Sequence, residues 1–254
     1  MHLRVLGCAG GSAPGVQLSS YLIDDVLAID AGALTTGLDY EGQCRVEAIA
    51  LTHGHLDHVW ALPMTLVHRL GSTPPLCHLF GSAYTFETVQ KHLFNERIWI
   101  DLSTARADDP DRVAWHVMEP NDTRTALDRY ELTAIGLNHT VPCQAYRVRS
   151  ETGCLIICGD TITTDDLWRV ANETEGLDGI LIECSWPAGM EELAHASQHY
   201  SAPLLVQDLE KLTVDVPVHV MHRKPGYEEQ IERDLRASGD ARLHFLTDGD
   251  EIRL

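Results

Sequence analysis

Three histidines and an aspartate crowd the stretch THGHLDHVWALP, residues 52–63. The potential metal ligands in it are His53, His55, Asp57 and His58. An apolar, strand-like run precedes them. At the end of a strand, side chains at i and i+2 point to the same side, so His53 and His55 can hold one ion together. A turn into a helix would carry the next two ligands toward a neighbouring point. The spacing therefore predicts two metal ions in one cleft rather than one tetrahedral ion.

The remaining ligands must come from elsewhere, and three further apolar runs end in a suitable side chain. LTAIGLNH ends in His139, Asp160 follows the apolar part of CLIICGDT, and His222 follows VPVHVM. A site at one edge of a pair of sheets requires this repeated order of strand and then ligand. For one such residue alone a structural role would be the default, as for Asp160 capping a helix. Together with the first cluster, all three are predicted ligands.

The elements that must position these residues follow from hydrophobic periodicity. Short strand-like runs open the chain, including VEAIALT (46–52), and a helical pattern follows in HVWALPMTLVHRLG. The last third alternates strands with helices, among them SAPLLVQDLEKL with Ser201 as its expected N-cap. The polar stretch 105–112 is typical of a surface loop. The order predicts an α/β fold of two packed sheets with helices outside, in one domain spanning residues 1–254.

Composition restricts the partners and the compartment. The chain has 38 acidic against 19 basic residues, a net charge of -19, which disfavours a nucleic-acid or anionic-membrane partner. No apolar run approaches the ~20 residues of a membrane span, and no export-signal core opens the chain, so we expect a cytoplasmic protein. The seven scattered cysteines, Cys154 and Cys158 of CLIIC included, are expected to be buried thiols in a reducing compartment.

Five motifs carry a family resemblance: HGHLDH, NHTVP, GDT, IECSW and HRKP occur in this order between residues 53 and 225. They resemble the metallo-β-lactamase superfamily of binuclear zinc hydrolases, and HGHLDH, ECSW and HRKP together are most similar to class II cyclic-nucleotide phosphodiesterases. The resemblance implies a four-layer αββα sandwich. It also implies one ion held by His53, His55 and His139, and a second ion held by Asp57, His58 and His222. Asp160 would bridge the two ions.

A sixth motif matches less closely. Those phosphodiesterases have a Gly-His-Leu-Thr stretch before a helix, and this chain has QHYS (198–201). The resemblance implies that His199 and Ser201 bind the substrate, whereas Gln198 and Tyr200 depart from the pattern. The alternative for His199 is a surface residue beside a helix start. Lys224, two positions after His222, is a further expected substrate contact, with a solvated surface lysine as its alternative.

The two-ion site and the resemblance to class II phosphodiesterases together imply a reaction. We expect a 3′,5′-cyclic nucleotide, with cyclic AMP as the first candidate, to be opened to its 5′-monophosphate by a hydroxide that two divalent ions share. Asp57 would orient the hydroxide, and His199 would donate to a phosphate oxygen or protonate the leaving group. The His-rich ligand set favours Zn²⁺, with Mn²⁺ or Fe²⁺ as alternatives. A homodimer is a candidate assembly.

Two other functions remain open. A tRNA 3′-processing endonuclease of the same superfamily shares the ligand set but usually carries a basic, glycine-rich arm that grips the RNA. Here only twenty residues separate His139 from Asp160, and residues 141–200 hold three arginines, no lysine and ten carboxylates. A non-hydrolytic metal- or nucleotide-binding protein is the second alternative; it would be indicated by a lost ligand, and none is lost. Lactamase or thioesterase chemistry is a weaker option.

Overall fold

A computed structural model of the chain describes residues 1–69, 77–102 and 113–254. The stretch 105–112, expected to be a surface loop, lies outside the described residues. In the described ranges no helix is both long enough and apolar enough to cross a membrane. The prediction of a single domain over residues 1–254 stays a prediction.

The first sheet contains seven strands of the described chain. Their bounds are His2–Gly7 (β1), Ser20–Ile23 (β2), Leu27–Ile29 (β3), Ala48–Ala50 (β4), Cys77–Gly81 (β5), Val113–Val117 (β6) and Glu251–Arg253 (β14). They lie in the order β14-β1-β2-β3-β4-β5-β6. Pairing is antiparallel from β14 to β3 and parallel from β3 to β6.

The second sheet also contains seven described strands. Their bounds are Thr123–Ala126 (β7), Tyr130–Leu137 (β8), Cys143–Ser150 (β9), Gly153–Ile157 (β10), Gly179–Glu183 (β11), Val218–Met221 (β12) and Leu243–Phe245 (β13). They lie in the order β13-β12-β11-β10-β9-β8-β7. Pairing is parallel from β10 to β13 and antiparallel from β7 to β10.

The helices of the described ranges flank the two sheets. Their bounds are Leu34–Gly37 (α1), Tyr40–Arg45 (α2), Leu56–Val59 (α3), Leu62–Val67 (α4), Ala83–His92 (α5), Asp166–Glu173 (α6), Glu191–Ser197 (α7), Ala202–Leu209 (α8) and Glu228–Arg236 (α9). The helical pattern after HGHLDH predicted one helix but forms two, α3 and α4. Pro63 explains the break, because its ring would clash with the carbonyl of Val59 in a continuous helix.

Two apolar clusters show how the layers stack. Along β2, Tyr21 and Ile23 belong to the larger cluster with strands of the second sheet, whereas Leu22 between them belongs to the cluster that also contains Leu62 of α4 and Phe86 of α5. Successive strand residues face opposite sides, so the first sheet has the second sheet on one face and helices on the other. Helices α6, α8 and α9 contribute buried residues to the larger cluster. The predicted order of helix, sheet, sheet and helix is confirmed.

One edge of the sandwich gathers the carboxyl ends of six strands. In the second sheet β8 runs in the same direction as β10, because each pairs antiparallel with β9, and β10, β11 and β12 are mutually parallel. In the first sheet β3 and β4 are parallel. The predicted ligands follow β4, β8, β10 and β12, so the topology brings them to one place.

The seven cysteines are free thiols, and all except Cys44 are buried. Burial raises the pKa of the Cys77 thiol to about 11 and raises those of Cys154 and Cys158 as well. The expectation of buried thiols therefore holds for six positions. A buried thiol with a raised pKa reacts slowly, because the thiolate is the reactive form.

We therefore predict that the native protein at pH 8 exposes about one fast-reacting thiol, Cys44, to a disulfide reagent such as dithionitrobenzoate. All seven cysteines should react after unfolding in guanidinium chloride. A Cys44→Ser variant is the control and should lose the fast phase. Two or more fast thiols in the native protein would contradict the burial described here.

Candidate metal centre

The HGHLDH segment leaves the carboxyl end of β4 and turns into α3. His53 is fully buried, and Gly54 lets α5 pack close to the segment, since a Cβ at this position would lie 3.0 Å from the Thr88 methyl group. His55 occupies the N-cap position of α3, and Asp57 and His58 follow in its short helical turn. Strand end and helix start therefore aim the four side chains at two adjacent points.

The first of these points is surrounded by His53, His55, His139 and Asp160, whose ligand atoms all lie within 4.8 Å of one another. His139 Nε2 is 3.2 Å from His55 Nδ1, and His53 Nε2 is 3.6 Å from Asp160 Oδ2. Donor atoms at the corners of a tetrahedral zinc site are about 3.3 Å apart, given metal–nitrogen bonds of roughly 2.0 to 2.1 Å. The spacing thus fits one ion.

The second point is surrounded by Asp57, His58, Asp160 and His222. His222 Nε2 lies 3.4 Å from Asp57 Oδ2, 3.2 Å from Asp160 Oδ1 and 3.3 Å from His58 Nε2. These distances also match the spacing between donor atoms in a tetrahedral zinc site. All seven predicted ligands are brought together, and the two groups share Asp160, which presents Oδ2 to the first group and Oδ1 to the second.

Two atoms at this centre point to bound cations. His53 Nε2 and Asp160 Oδ1 are buried and have no hydrogen-bond partner among the described residues. Buried polar atoms are nearly always paired, so a missing partner requires an explanation. A divalent cation at the first point would coordinate His53 Nε2, and one at the second point would coordinate Asp160 Oδ1. The donor set of imidazoles and carboxylates suits such ions. The residues present therefore fit two divalent metal ions.

Charge at the centre favours ionised carboxylates. Burial acts to raise the pKa of Asp160, but His222 and His58 hold this pKa well below its usual range. The same balance lowers the pKa of Asp57, where His222 and His58 again oppose burial. Burial and neighbouring imidazoles lower the pKa of His53. Ionised carboxylates and neutral imidazoles are the forms that bind metal.

Hydrogen bonds fix the orientation of the ligand histidines. His139 Nδ1 donates to the carbonyl oxygen of Gln198 at 3.0 Å, which leaves the lone pair on Nε2. His222 Nδ1 lies 3.2 Å from the Ser185 hydroxyl. His58 Nδ1 lies 2.7 Å from a carboxylate oxygen of Asp30. In each case the free Nε2 faces the metal position, as expected of supported metal ligands.

Asp30 is the most connected of these supports. It follows β3, is 1% exposed and takes a left-handed backbone with φ of 60°. Besides His58 it accepts hydrogen bonds from the Thr52 amide at 2.8 Å and the Thr52 hydroxyl. The Thr52 hydroxyl then accepts from His53 Nδ1 at 3.1 Å. One buried carboxylate therefore orients a ligand of each ion.

His199 is buried beside the centre, so its alternative as a surface residue is wrong. Its Nδ1 lies 2.7 Å from Glu183 Oε1, and its ring stacks on His222 with centroids 5.4 Å apart. Glu183 also accepts from the Thr161 amide at 2.9 Å and the Ser185 hydroxyl at 3.0 Å. Burial acts to lower the pKa of His199, but Glu183 raises it overall. A charged imidazole is thereby favoured at the edge of the metal centre.

The other two predicted substrate contacts, Lys224 and Ser201, have different surroundings. Lys224 is partly buried and lies near enough to His199 for its positive charge to lower the pKa of that imidazole. This effect on the pKa is smaller than those of burial and of Glu183. Ser201 is fully buried at the N-cap position of α8, but its hydroxyl makes no capping bond and has no partner in the described part of the chain. The expected capping bond of Ser201 is therefore absent.

The two departures in QHYS have structural explanations. Gln198 ends α7 in the left-handed region with φ of 52°, where glycine is favoured. Its contribution to the centre is a backbone carbonyl, which glycine supplies equally well. Tyr200 is buried and its hydroxyl donates to Asp208 Oδ2 at 2.6 Å. Neither the Gln198 nor the Tyr200 side chain is a hydrogen-bond partner of His199 among the described residues.

Sequence reasoning did not identify Glu183, Ser185 and Thr52. Glu183 ends the apolar strand β11, the same context of strand followed by ligand that predicted Asp160 and His222. That signal could have found it. Thr52 and Ser185 also bond through their hydroxyl groups to Asp30 and His222, which are 22 and 37 positions away, so no local pattern marks these supports.

Comparisons with known proteins identify the fold. The model of the family described as cAMP phosphodiesterases class-II matches residues 38–135. The structure of the metallo-beta-lactamase fold protein YhfI from Bacillus subtilis covers 99% of both chains with a TM-score of 0.81 at 17% identity. The chain has the metallo-β-lactamase fold. The αββα sandwich implied by the resemblance is confirmed.

A yeast protein has the same fold. The crystal structure of unliganded yeast PDE1 covers 100% of this chain and 99% of that chain, with a TM-score of 0.84 at 19% identity. In sequence, the chain is 23% identical over 188 residues to 3′,5′-cyclic-nucleotide phosphodiesterase 1 of Saccharomyces cerevisiae. That match spans 64% of this chain but only about half, 49%, of the yeast protein. The resemblance to class II phosphodiesterases is confirmed.

The role of Asp30 predicts a metal-binding defect in Asp30→Asn. The amide preserves the shape but removes the charge that polarises His58, so zinc affinity should fall about 10- to 100-fold, as for other residues that orient a metal ligand. Competition with a chromophoric chelator measures this affinity, and circular dichroism checks the fold.

Asp39→Asn is the matched control for this variant. Asp39 caps α2 by accepting from the Gly42 amide, away from the histidine ligands, so its zinc affinity should equal that of the unmodified protein. An unchanged affinity in Asp30→Asn would show that Asp30 does not support the ligands.

Proposed function

We propose that this chain is a binuclear metal-dependent phosphodiesterase that hydrolyses 3′,5′-cyclic nucleotides, with cyclic AMP as the expected substrate, to 5′-monophosphates. The observation that carries the proposal is the pair of four-donor groups sharing Asp160, with the His199–Glu183 pair at their edge. The match to the class II phosphodiesterase family supports the substrate class.

The proposed ligands of one ion are His53, His55 and His139, and those of the other are Asp57, His58 and His222, with Asp160 common to both. We propose Zn²⁺ because imidazoles dominate the set, and Mn²⁺ or Fe²⁺ would also suit the group that contains two carboxylates. When bound, such a pair supplies Lewis acidity toward a phosphoryl oxygen and makes water a stronger nucleophile at neutral pH.

Three side chains of this protein would act on the substrate. Asp57 keeps 26% of its side chain exposed and stays ionised, so it can accept a hydrogen bond from the attacking water and orient it. His199 has Nδ1 committed to Glu183, which leaves Nε2 to donate to a phosphate oxygen or to protonate the leaving 3′ oxygen. Lys224 adds positive charge beside His199, which favours an anionic phosphodiester.

The described residues offer little support for the tRNA-processing alternative. The connection from β8 to β9 spans residues 138–142, and β9 and β10 form a tight hairpin, so no basic arm lies between His139 and Asp160. With a net charge of -19, phosphate contacts along an RNA would be opposed. We keep the cytoplasmic location and the homodimer as predictions.

A substrate panel tests the proposed function. The metal-loaded protein should convert cyclic AMP to the 5′-monophosphate, and removal of metal with a chelator should abolish turnover until Zn²⁺ is restored. Cyclic GMP, 2′,3′-cyclic nucleotides and precursor tRNA complete the panel. Cleavage of precursor tRNA with cyclic nucleotides untouched would favour the endonuclease, and binding of cyclic AMP without turnover would favour a sensor.

The role of His199 predicts a leaving-group effect. His199→Ala should lower kcat for cyclic AMP by about 10²- to 10⁴-fold, the usual contribution of a general acid, and Glu183→Gln should lower it less. Bis-p-nitrophenyl phosphate, whose leaving group needs no proton, should be affected much less than cyclic AMP. His195→Ala, an exposed histidine on α7, is the control. Equal losses on both substrates would refute the acid role.

A further inference from the structure

Large exposed apolar side chains lie in and near the HGHLDH segment, and the proposed chemistry does not use them. Leu56, Trp60 and Tyr84 are 54%, 51% and 46% exposed. Together they form what we call the apolar rim. Single exposed apolar residues are ordinary, but an aromatic group beside a catalytic cleft is a typical ligand-binding surface.

Trp60 lies next to a predicted ligand on the same helical turn. Asp57 is in α3, and Trp60 follows three residues later with helical backbone angles of φ -51° and ψ -48°. Residues three apart are separated by about 60° around a helix axis and have Cβ atoms about 5 to 6 Å apart. Long helical side chains lean toward the preceding turn, which brings the indole closer to Asp57. His58 and Val59, in contrast, are buried.

Leu56 and Tyr84 extend this surface. Leu56 is four residues before Trp60, which places both on one face of the turn. Gly54, two residues before Leu56, packs against Thr88 of α5. The Thr88 hydroxyl donates to the carbonyl of Tyr84 at 2.8 Å, one helical turn earlier, so Tyr84 lies on the same face of α5 as Thr88. Leu56 therefore lies in the HGHLDH segment, Trp60 lies directly after it, and Tyr84 lies on the helix face that packs against Gly54.

We propose that Trp60 is the base-stacking residue of the substrate site: the nucleobase lies on the indole while the phosphate occupies the metal centre. This inference rests on the proposed function and names how that site recognises a nucleoside. One sugar ring separates base and phosphate in a cyclic nucleotide, on the scale of the distance from Asp57 to Trp60. Stacking requires no charge, which suits a chain that has an excess of carboxylates.

The clefts that the described residues form beside His139 offer no comparable surface. A cleft of about 610 Å³ beside His139 is lined by residues 137–142, Ile162, Thr163 and Gln198, and none of these apart from His139 itself is aromatic. A neighbouring cavity of about 700 Å³ carries three carboxylates, Glu119, Asp165 and Asp166. Such a wall can accept hydrogen bonds from ribose hydroxyls but cannot stack a base.

The test compares binding of AMP and ribose 5-phosphate to the zinc-loaded protein by isothermal titration calorimetry. The two ligands share the phosphate and the sugar and differ in the base. The unmodified protein should bind AMP roughly 5- to 150-fold more tightly, the usual range for one base–aromatic stack. Trp60→Ala should abolish this preference, and Trp60→Phe should keep most of it.

Tyr40→Ala is the matched control. Tyr40 is 54% exposed, but it lies on α2, which precedes β4, so it is at the opposite end of that strand from His53. This variant should keep the AMP preference. Zinc content and circular dichroism verify that each variant is folded and loaded.

Other results would overturn the inference. An AMP preference that survives in Trp60→Ala would place the base elsewhere, and so would an equal loss of both ligands. A Trp60→Ala variant that only dissociates a dimer would identify the apolar rim as a subunit interface. If the unmodified protein prefers AMP through Trp60 but hydrolyses no cyclic nucleotide, the proposed function fails and the stacking assignment stands.

Discussion

The structure depends on one buried carboxylate that five imidazoles surround. Asp160 is 2% exposed, and its Oδ1 has no hydrogen-bond donor in the described chain. A buried charge costs several kcal/mol unless opposite charges compensate for it. In the protein alone, nearby imidazoles stabilise the ionised form, and His58 has its pKa raised by Asp160 and Asp30 although burial acts to lower it. Two divalent cations would replace those protons, so metal binding and proton release are coupled at this centre.

The fold supplies that arrangement through strand direction. Six strand ends meet at one edge, and each contributes a side chain to the centre or its supports. Asp30, Gln198 and His222 all have left-handed backbone angles, with φ of 60°, 52° and 56°. Such conformations cost on the order of 1 kcal/mol or more for residues other than glycine, and they persist where the surrounding structure enforces them. Two well-packed apolar clusters provide this constraint. The three strained positions orient the Asp30 carboxylate that supports the ligands, the Gln198 carbonyl and the predicted ligand His222.

Much of this centre could be predicted from the sequence because metal chemistry has a local signature. The spacing in HGHLDH is visible in one segment, and strand-then-ligand contexts identified His139, Asp160 and His222. The supports were harder to predict: Thr52 and Ser185 act through hydroxyl groups whose partners depend on tertiary contacts. The split between α3 and α4 was missed because apolar periodicity continues through Pro63. Trp60 carried no signal either, since an apolar residue in an apolar segment is expected to be buried, whereas Trp60 is 51% exposed.

The proposed site combines a metal centre, an acid group held by Glu183 and the aromatic side chain of Trp60, and the metal centre is decisive. Anomalous diffraction from crystals of the zinc-loaded protein measures it directly. The account predicts two zinc peaks about 3.5 to 4 Å apart, one on each side of the Asp160 carboxylate. One peak alone, or peaks away from Asp160, would contradict it.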